Sequence, residues 1–195
     1  MAIGVTQASP DPNWHGLLPP QRFLSRRRFV DIALDPPDFR PGSWRGAGKV
    51  VFDPGSRLFW LTTRPRTAAV RGYAVEIYSS RNGEEFRLVH SIPKDKVSRL
   101  SGADVRSIEG QQILKDPGTG RYHLYLALDD GAGWGTFLFS AESPKGPWRF
   151  ECEAIARSEG YDSREARDCS IGIVDGLYLA LYKACLLYTS DAADE

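Results

Sequence analysis

Gln112-Ile-Leu-Lys-Asp-Pro-Gly-Thr-Gly-Arg-Tyr-His-Leu-Tyr-Leu126 decides the fold of this chain. An apolar run leads into Asp-Pro-Gly, and a second run rich in aromatic and aliphatic residues leads out. Asp hydrogen-bonds the backbone just ahead of it, Pro presets φ, and Gly accepts positive φ. The segment therefore predicts two antiparallel strands joined by a short turn. The same pattern occurs as Lys49-Val-Val-Phe-Asp-Pro-Gly-Ser-Arg-Leu-Phe-Trp-Leu61 and as Ser170-Ile-Gly-Ile-Val-Asp-Gly-Leu-Tyr-Leu-Ala-Leu-Tyr182. The turn aspartates Asp53 and Asp116 are 63 positions apart, and Asp116 and Asp175 are 59 apart. A supersecondary unit repeated at this period means an array. Turn chemistry alone accounts for Asp53 and Asp116.

Each of the first two hairpins is followed by another. Tyr73-Ala-Val-Glu-Ile-Tyr-Ser79 alternates, Arg81-Asn-Gly-Glu84 turns, and Phe86-Arg-Leu-Val-His-Ser-Ile92 returns. In the second unit Trp134-Gly-Thr-Phe-Leu-Phe-Ser140 leads through Ser143-Pro-Lys-Gly-Pro-Trp148 to Arg149-Phe-Glu-Cys-Glu-Ala-Ile155. Four strands per unit, repeated radially, make a β-propeller. A β-sandwich also has many short strands, but the repeat favours the propeller. The expected class is all-β, with about two and a half four-stranded blades.

The chain has 195 residues, with 25 basic and 25 acidic side chains and a formal net charge of zero. That balance argues against a nucleic-acid partner. No apolar run reaches the length of about 18 that a membrane span requires, and the amino terminus lacks the basic and apolar regions of a secretory signal. Cys152, Cys169 and Cys185 have no metal-ligand spacing, so no metal is expected and a reducing, cytoplasmic setting is the default. Residues 1–43 read as an extended, proline-rich lead-in. Their one short apolar piece, Phe29-Val-Asp-Ile-Ala-Leu34, suits a strand that closes a ring. The propeller domain is expected over 44–184. The last eleven residues, Cys185-Leu-Leu-Tyr-Thr-Ser-Asp-Ala-Ala-Asp-Glu195, break the pattern. They resemble the in-frame translation of a transposase adapter used in sequencing-library preparation. Residues 185–195 are therefore expected to be non-native, and the 195-residue chain a poorly soluble, inactive fragment with open strand edges.

Ligands of propellers bind at the mouth of the channel lined by the innermost strands. Seven residues before Asp116 stands Glu109, seven before Asp175 stands Asp168, and seven before Asp53 stands Gly46. Repeat symmetry is expected to aim Glu109 and Asp168 at one mouth from neighbouring blades. Two such carboxylates suit glycosidic chemistry, one donating a proton to the leaving oxygen and the other acting as base or nucleophile. Arg64, Arg66 and Arg71 are placed in the loop after the second strand, where a planar donor fork meets carboxylates, phosphates or sugar hydroxyls. Arg45 and Arg167 flank the inner-strand starts. Trp44, Trp134 and Tyr161 suit stacking on sugar faces, with blade packing as the alternative. Asp129-Asp130 in a loop is weak evidence for a cation.

The stretch Glu109–Tyr125 resembles the blade-opening motif of the five-bladed propeller glycosidases of families 43, 32 and 130. Ser143-Pro-Lys-Gly-Pro-Trp148 and Ser80-Arg-Asn-Gly-Glu-Glu-Phe86 resemble two hairpins of the same superfamily. The likeness covers about residues 44–184. It implies a glycoside-active enzyme, hydrolase or phosphorylase, with a carbohydrate substrate and no organic cofactor. Family 43 has an aspartate base in its first blade, where this chain has Gly46. A non-catalytic carbohydrate-binding propeller and a scaffold for protein partners remain the other readings.

Overall fold

The computed structural model describes Phe29 and residues 31–186. The expected non-native segment therefore lies outside the described residues from position 187 on. Phe29, Asp31 and Ile32 belong to a separate amino-terminal unit and carry no strand, and residues 33–34 form a bend.

The unit from Ala33 onward is nearly all β. Strands β1 (Trp44–Asp53), β2 (Leu58–Arg66), β3 (Ala74–Ser80) and β4 (Arg87–Pro93) form an antiparallel sheet in the order β1-β2-β3-β4. A short helix, α1 (Lys94–Ser101), leads to the next set. Strands β5 (Ser107–Lys115), β6 (Tyr122–Asp129), β7 (Trp134–Ala141) and β8 (Arg149–Ile155) repeat the arrangement, and β9 (Glu165–Val174) pairs with β10 (Leu177–Cys185). A single parallel pair, Trp134 with Glu165, stitches β9 onto β7. The result is a partial β-propeller of two complete blades and the first hairpin of a third, with its sheets not closed into a ring. No helix among the described residues is long and apolar enough to cross a membrane.

The core joins the first two blades. Val75 and Ile77 of one meet Ile108, Ile113, Leu124 and Leu128 of the other, all at 0% exposure. Each such side chain contributes about 1.5–3 kcal/mol by leaving water. The inner strands β1, β5 and β9 lie side by side and exchange hydrogen bonds. Gln111 Nε2 donates to the Gly46 carbonyl at 2.8 Å, and Thr62 Oγ1 donates to the Gln111 carbonyl at 3.1 Å. On the other side the Gln112 amide pairs with the Ile171 backbone, donating at 2.8 Å and accepting at 2.9 Å.

The turn aspartates do more than turn the chain. Asp53 accepts from the Gly55 amide at 3.0 Å and Ser56 Oγ at 2.7 Å, as an Asx turn requires. It also lies 3.5 Å from the Tyr122 hydroxyl of the next blade, at the limit of a hydrogen bond. One blade later, the Tyr178 hydroxyl donates to Asp116 at 2.7 Å. The same latch thus closes both gaps between successive blades.

Candidate functional site

Strand pairing shows which residues are equivalent in the three units. Gly46 pairs with Arg64, Glu109 with Ala127, and Arg167 with Lys183. The latch tyrosines fix the alignment, since Tyr122 precedes Ala127 by five residues and Tyr178 precedes Lys183 by five. Glu109 is therefore matched in the third unit by Arg167, and Asp168 is matched in the second by Gly110. This corrects the sequence expectation that Glu109 and Asp168 share one repeat position. The cause is the turn. Asp53 pairs with Leu58, and the Asp116 amide bonds to the Arg121 carbonyl at 2.8 Å, so both aspartates close their turns from the strand side. Asp175 lies inside a two-residue turn, with φ of 51° followed by 78° at Gly176. Counting back from it stops one residue short, at Asp168 rather than Arg167.

The two carboxylates still share a neighbour, Arg167. Both β5 and β9 carry a β-bulge here, after Glu109 and after Arg167. Bulges re-aim side chains and recur beside active sites. Gly110 and Asp168 are the first bulge residues, with φ of 48° and 56°. They are in contact: a Cβ on Gly110 would stand 2.7 Å from both Cα and Oδ1 of Asp168. The Asp168 side chain is 42% exposed and its carboxylate is 3.9 Å from Arg167 Nε.

Glu109 is 7% exposed and surrounded by guanidinium groups. Arg167 Nη1 donates to its Oε2 at 2.6 Å. Arg64 Nη2 and Arg71 Nη2 approach its Oε1 at 3.1 and 3.7 Å. Arg64 and Arg66 belong to β2 rather than to the loop where the sequence placed them; Pro65 is tolerated because β3 pairs with β2 only as far as Thr63. Arg64 reaches Glu109 by folding across Gly46, where a Cβ would stand 3.0 Å from Arg64 Cγ and Nε. The glycine that leaves the first blade without an acid is the gap through which this arginine passes.

Arg167 ties the site together. It is 3% exposed and forks onto Glu165, with Nε and Nη2 each 3.2 Å from a carboxylate oxygen. Lys183 Nζ adds a contact to Glu165 at 2.9 Å. Burial alone would depress the Arg167 guanidinium, but Asp168, Glu109 and Glu165 outweigh it and hold its pKa above the ordinary value. The guanidinium also lies over the Trp134 ring, 4.6 Å from its centroid. Trp134, expected as a sugar platform, is 4% exposed and supports Arg167 instead.

Arg45 serves a second cluster. Its Nη1 bonds to Glu76, which also accepts from Thr63 Oγ1 at 3.2 Å and the Tyr78 hydroxyl at 2.8 Å. Burial, and then the bond to Glu76, push the Tyr78 phenol well above its usual range. Arg66 stacks on Trp44, 4.1 Å from the ring centroid. Asp130 is held by both terminal nitrogens of Arg157 at 2.9 and 2.8 Å, so it is committed to an ion pair rather than to a cation. Among the described residues no group of His, Cys, Asp and Glu has metal-site geometry. Glu165, Glu76 and Lys183 were not singled out in the sequence. A charged residue inside the apolar run Ala74–Tyr78 was the available signal for Glu76.

No family model matches the sequence, and no curated protein matches it. Solved structures do. A family 117 glycoside hydrolase from Zobellia galactanivorans superposes with a TM-score of 0.58 at 18% identity, over 80% of this chain and 54% of its own. An exo-β-1,3-galactanase from Phanerochaete chrysosporium, solved with galactose, gives 0.54 at 17% identity over 78% and 35%. An exo-β-1,3-galactanase from Clostridium thermocellum gives 0.54 at 13% identity over 72% and 31%. The chain thus has the fold of the β-propeller glycosidases. It spans between about a third and about half of the length of these neighbours.

Proposed function

We propose that these blades belong to a glycoside-active enzyme, a hydrolase or phosphorylase, in which Glu109 and Asp168 are the carboxylate pair at the channel mouth. The observation that carries this is the conformation of Asp168. It occupies a left-handed bulge position that the preceding blade fills with Gly110. A side chain there costs about 1 kcal/mol, and such strain is characteristically retained at functional sites.

The surroundings divide the labour. Glu109, among Arg64, Arg71 and Arg167, is set as the charged partner, the base or nucleophile. The other carboxylate of the pair is left to pass a proton to the leaving oxygen while water or phosphate takes up the sugar. The likeness to glycoside hydrolases supports the reading at the level of fold. Because the chain spans only part of those neighbours, the activity is proposed for the polypeptide to which these blades belong. The 195-residue chain alone is expected to turn over no substrate.

The test is a screen of aryl-glycosides, and of glycans with phosphate, on a protein carrying the complete ring. Glu109→Gln and Asp168→Asn are each expected to lower turnover by about 10²–10⁴-fold. Turnover unchanged in both variants would refute the assignment.

One feature favours a second reading, a carbohydrate-binding propeller without catalysis. The first blade brings Arg64 through the Gly46 gap and places no acid there. On that reading Glu109→Gln retains sugar binding and no glycoside in the screen is cleaved.

A further inference from the structure

Strand β10 is the second strand of the third unit, and one of its edges is open. Its counterparts are closed on both sides. β2 lies between β1 and β3, and β6 lies between β5 and β7, each time in antiparallel pairing. Among the described residues β10 pairs with β9 alone. The edge runs for 9 residues, Leu177–Cys185, and contains no proline. Tyr178 turns toward the second blade, onto Asp116 and His123. Leu177, Leu179 and Leu181 therefore share the opposite face, and all three are exposed, Leu181 at 78%. A long, apolar edge of this kind is a template for another strand.

The chemistry of the edge reads alike from both ends. Asp175, in the turn, and Lys183 stand four residues to either side of Leu179, both exposed and opposite in charge. Antiparallel pairing of β10 with itself about Leu179 sets Leu179 against its own copy and Leu177 against Leu181 of the second copy. It also brings Asp175 of each copy beside Lys183 of the other. We infer that a second copy of this chain docks on this edge, giving a two-fold dimer through a continuous sheet in the order β9-β10-β10-β9. Such a contact is isologous, each copy offering the same patch. The second copy raises the third unit from two strands to four, the number in each complete blade. Lys183 keeps its contact with Glu165, and its ammonium has further donors for Asp175. The inference is independent of the carbohydrate reading.

Sedimentation equilibrium of the 195-residue chain over a wide concentration range is expected to show one chain passing to two and no further. Leu179→Lys places like charges directly opposite one another at the two-fold and is expected to weaken the dimer by about tenfold or more. Its circular dichroism spectrum should match the parent's, because position 179 is exposed. Under mild oxidation Leu179→Cys is expected to form a dimer whose disulfide joins position 179 to position 179, as peptide mass spectrometry reads it. Leu177→Cys is expected to link poorly to itself and readily to Leu181→Cys when the two variants are mixed. A chain that is monomeric at every concentration overturns the inference, as does growth beyond two copies. So does a dimer indifferent to Leu179→Lys, or a Leu177→Cys variant that links to itself as efficiently as Leu179→Cys does.

Discussion

Asp168 stands where Gly110 stands one blade earlier, and the two are packed against each other at the start of matching bulges. One repeat position thus serves two purposes in successive blades. In the second blade it gives close approach, and in the third it carries a carboxylate in a conformation that side chains rarely adopt.

Replacing Asp168 by glycine separates those purposes. The Asp168→Gly variant is expected to be about 0.5–1 kcal/mol more stable than the parent, because the left-handed strain is relieved. It is also expected to lose activity in the complete enzyme. Urea denaturation beside a turnover assay checks both, and lower stability in this variant would remove the strain argument.

The latch between the second and third blades has a defined pH window. Bonds from Thr119, and then Tyr178, hold the Asp116 carboxyl well below the usual range. A carboxyl lowered by folding stabilises above its unfolded value, about 4, and that contribution fades as the pH falls further. Burial, and then the bond to Asp116, push the Tyr178 phenol up, so its contribution holds below about 10 and fades above. Tyr178→Phe is expected to cost about 0.5–1 kcal/mol at neutral pH, the small figure reflecting solvent around the carboxylate. Thermal melts across pH should show the difference from the parent shrinking at both extremes.

Arg167 is buried between two buried carboxylates, so its loss is expected to be costly. Arg167→Met removes the guanidinium that Glu165, at 0% exposure, and Glu109 share, leaving Lys183 to the first and Arg64 and Arg71 to the second. A loss of about 3–5 kcal/mol is expected. Arg167→Lys should restore less than half of it, since one ammonium cannot fork onto Glu165 and reach Glu109 together. Denaturation midpoints of the two variants decide this. A lysine variant as stable as the parent would show that charge alone suffices.

Cysteine reactivity reports on the inner strand. Cys169 is at 0% exposure, and burial pushes its thiol up to about 11. Cys152 is exposed. At pH 8, iodoacetamide should label Cys152 in the folded chain and reach Cys169 only after denaturation. Peptide mass spectrometry reads the two sites separately, and early labelling of Cys169 would show that β9 opens readily.

The hairpins were readable in the sequence because their chemistry is local: Asp-Pro-Gly turns the chain, and alternating apolar residues mark its flanks. Helix α1 escaped because it is short and polar, with only Val97 buried. Glu109 was found by its spacing from a turn aspartate. Its partner in the third blade was misplaced by one residue because a two-residue turn and a longer one look alike until their pairing is known. Glu165 and Arg64 were harder still. Their roles depend on contacts between strands or blades, and the passage of Arg64 depends on a side chain that Gly46 lacks.

That missing side chain makes the first blade a polarity selector. Any residue larger than glycine at position 46 presses on Arg64, which must give way by a few tenths of an ångström. An aspartate introduced there would meet the Arg64 side chain before it reached the other acids of the mouth. A redesign toward a three-acid site would have to change positions 46 and 64 together.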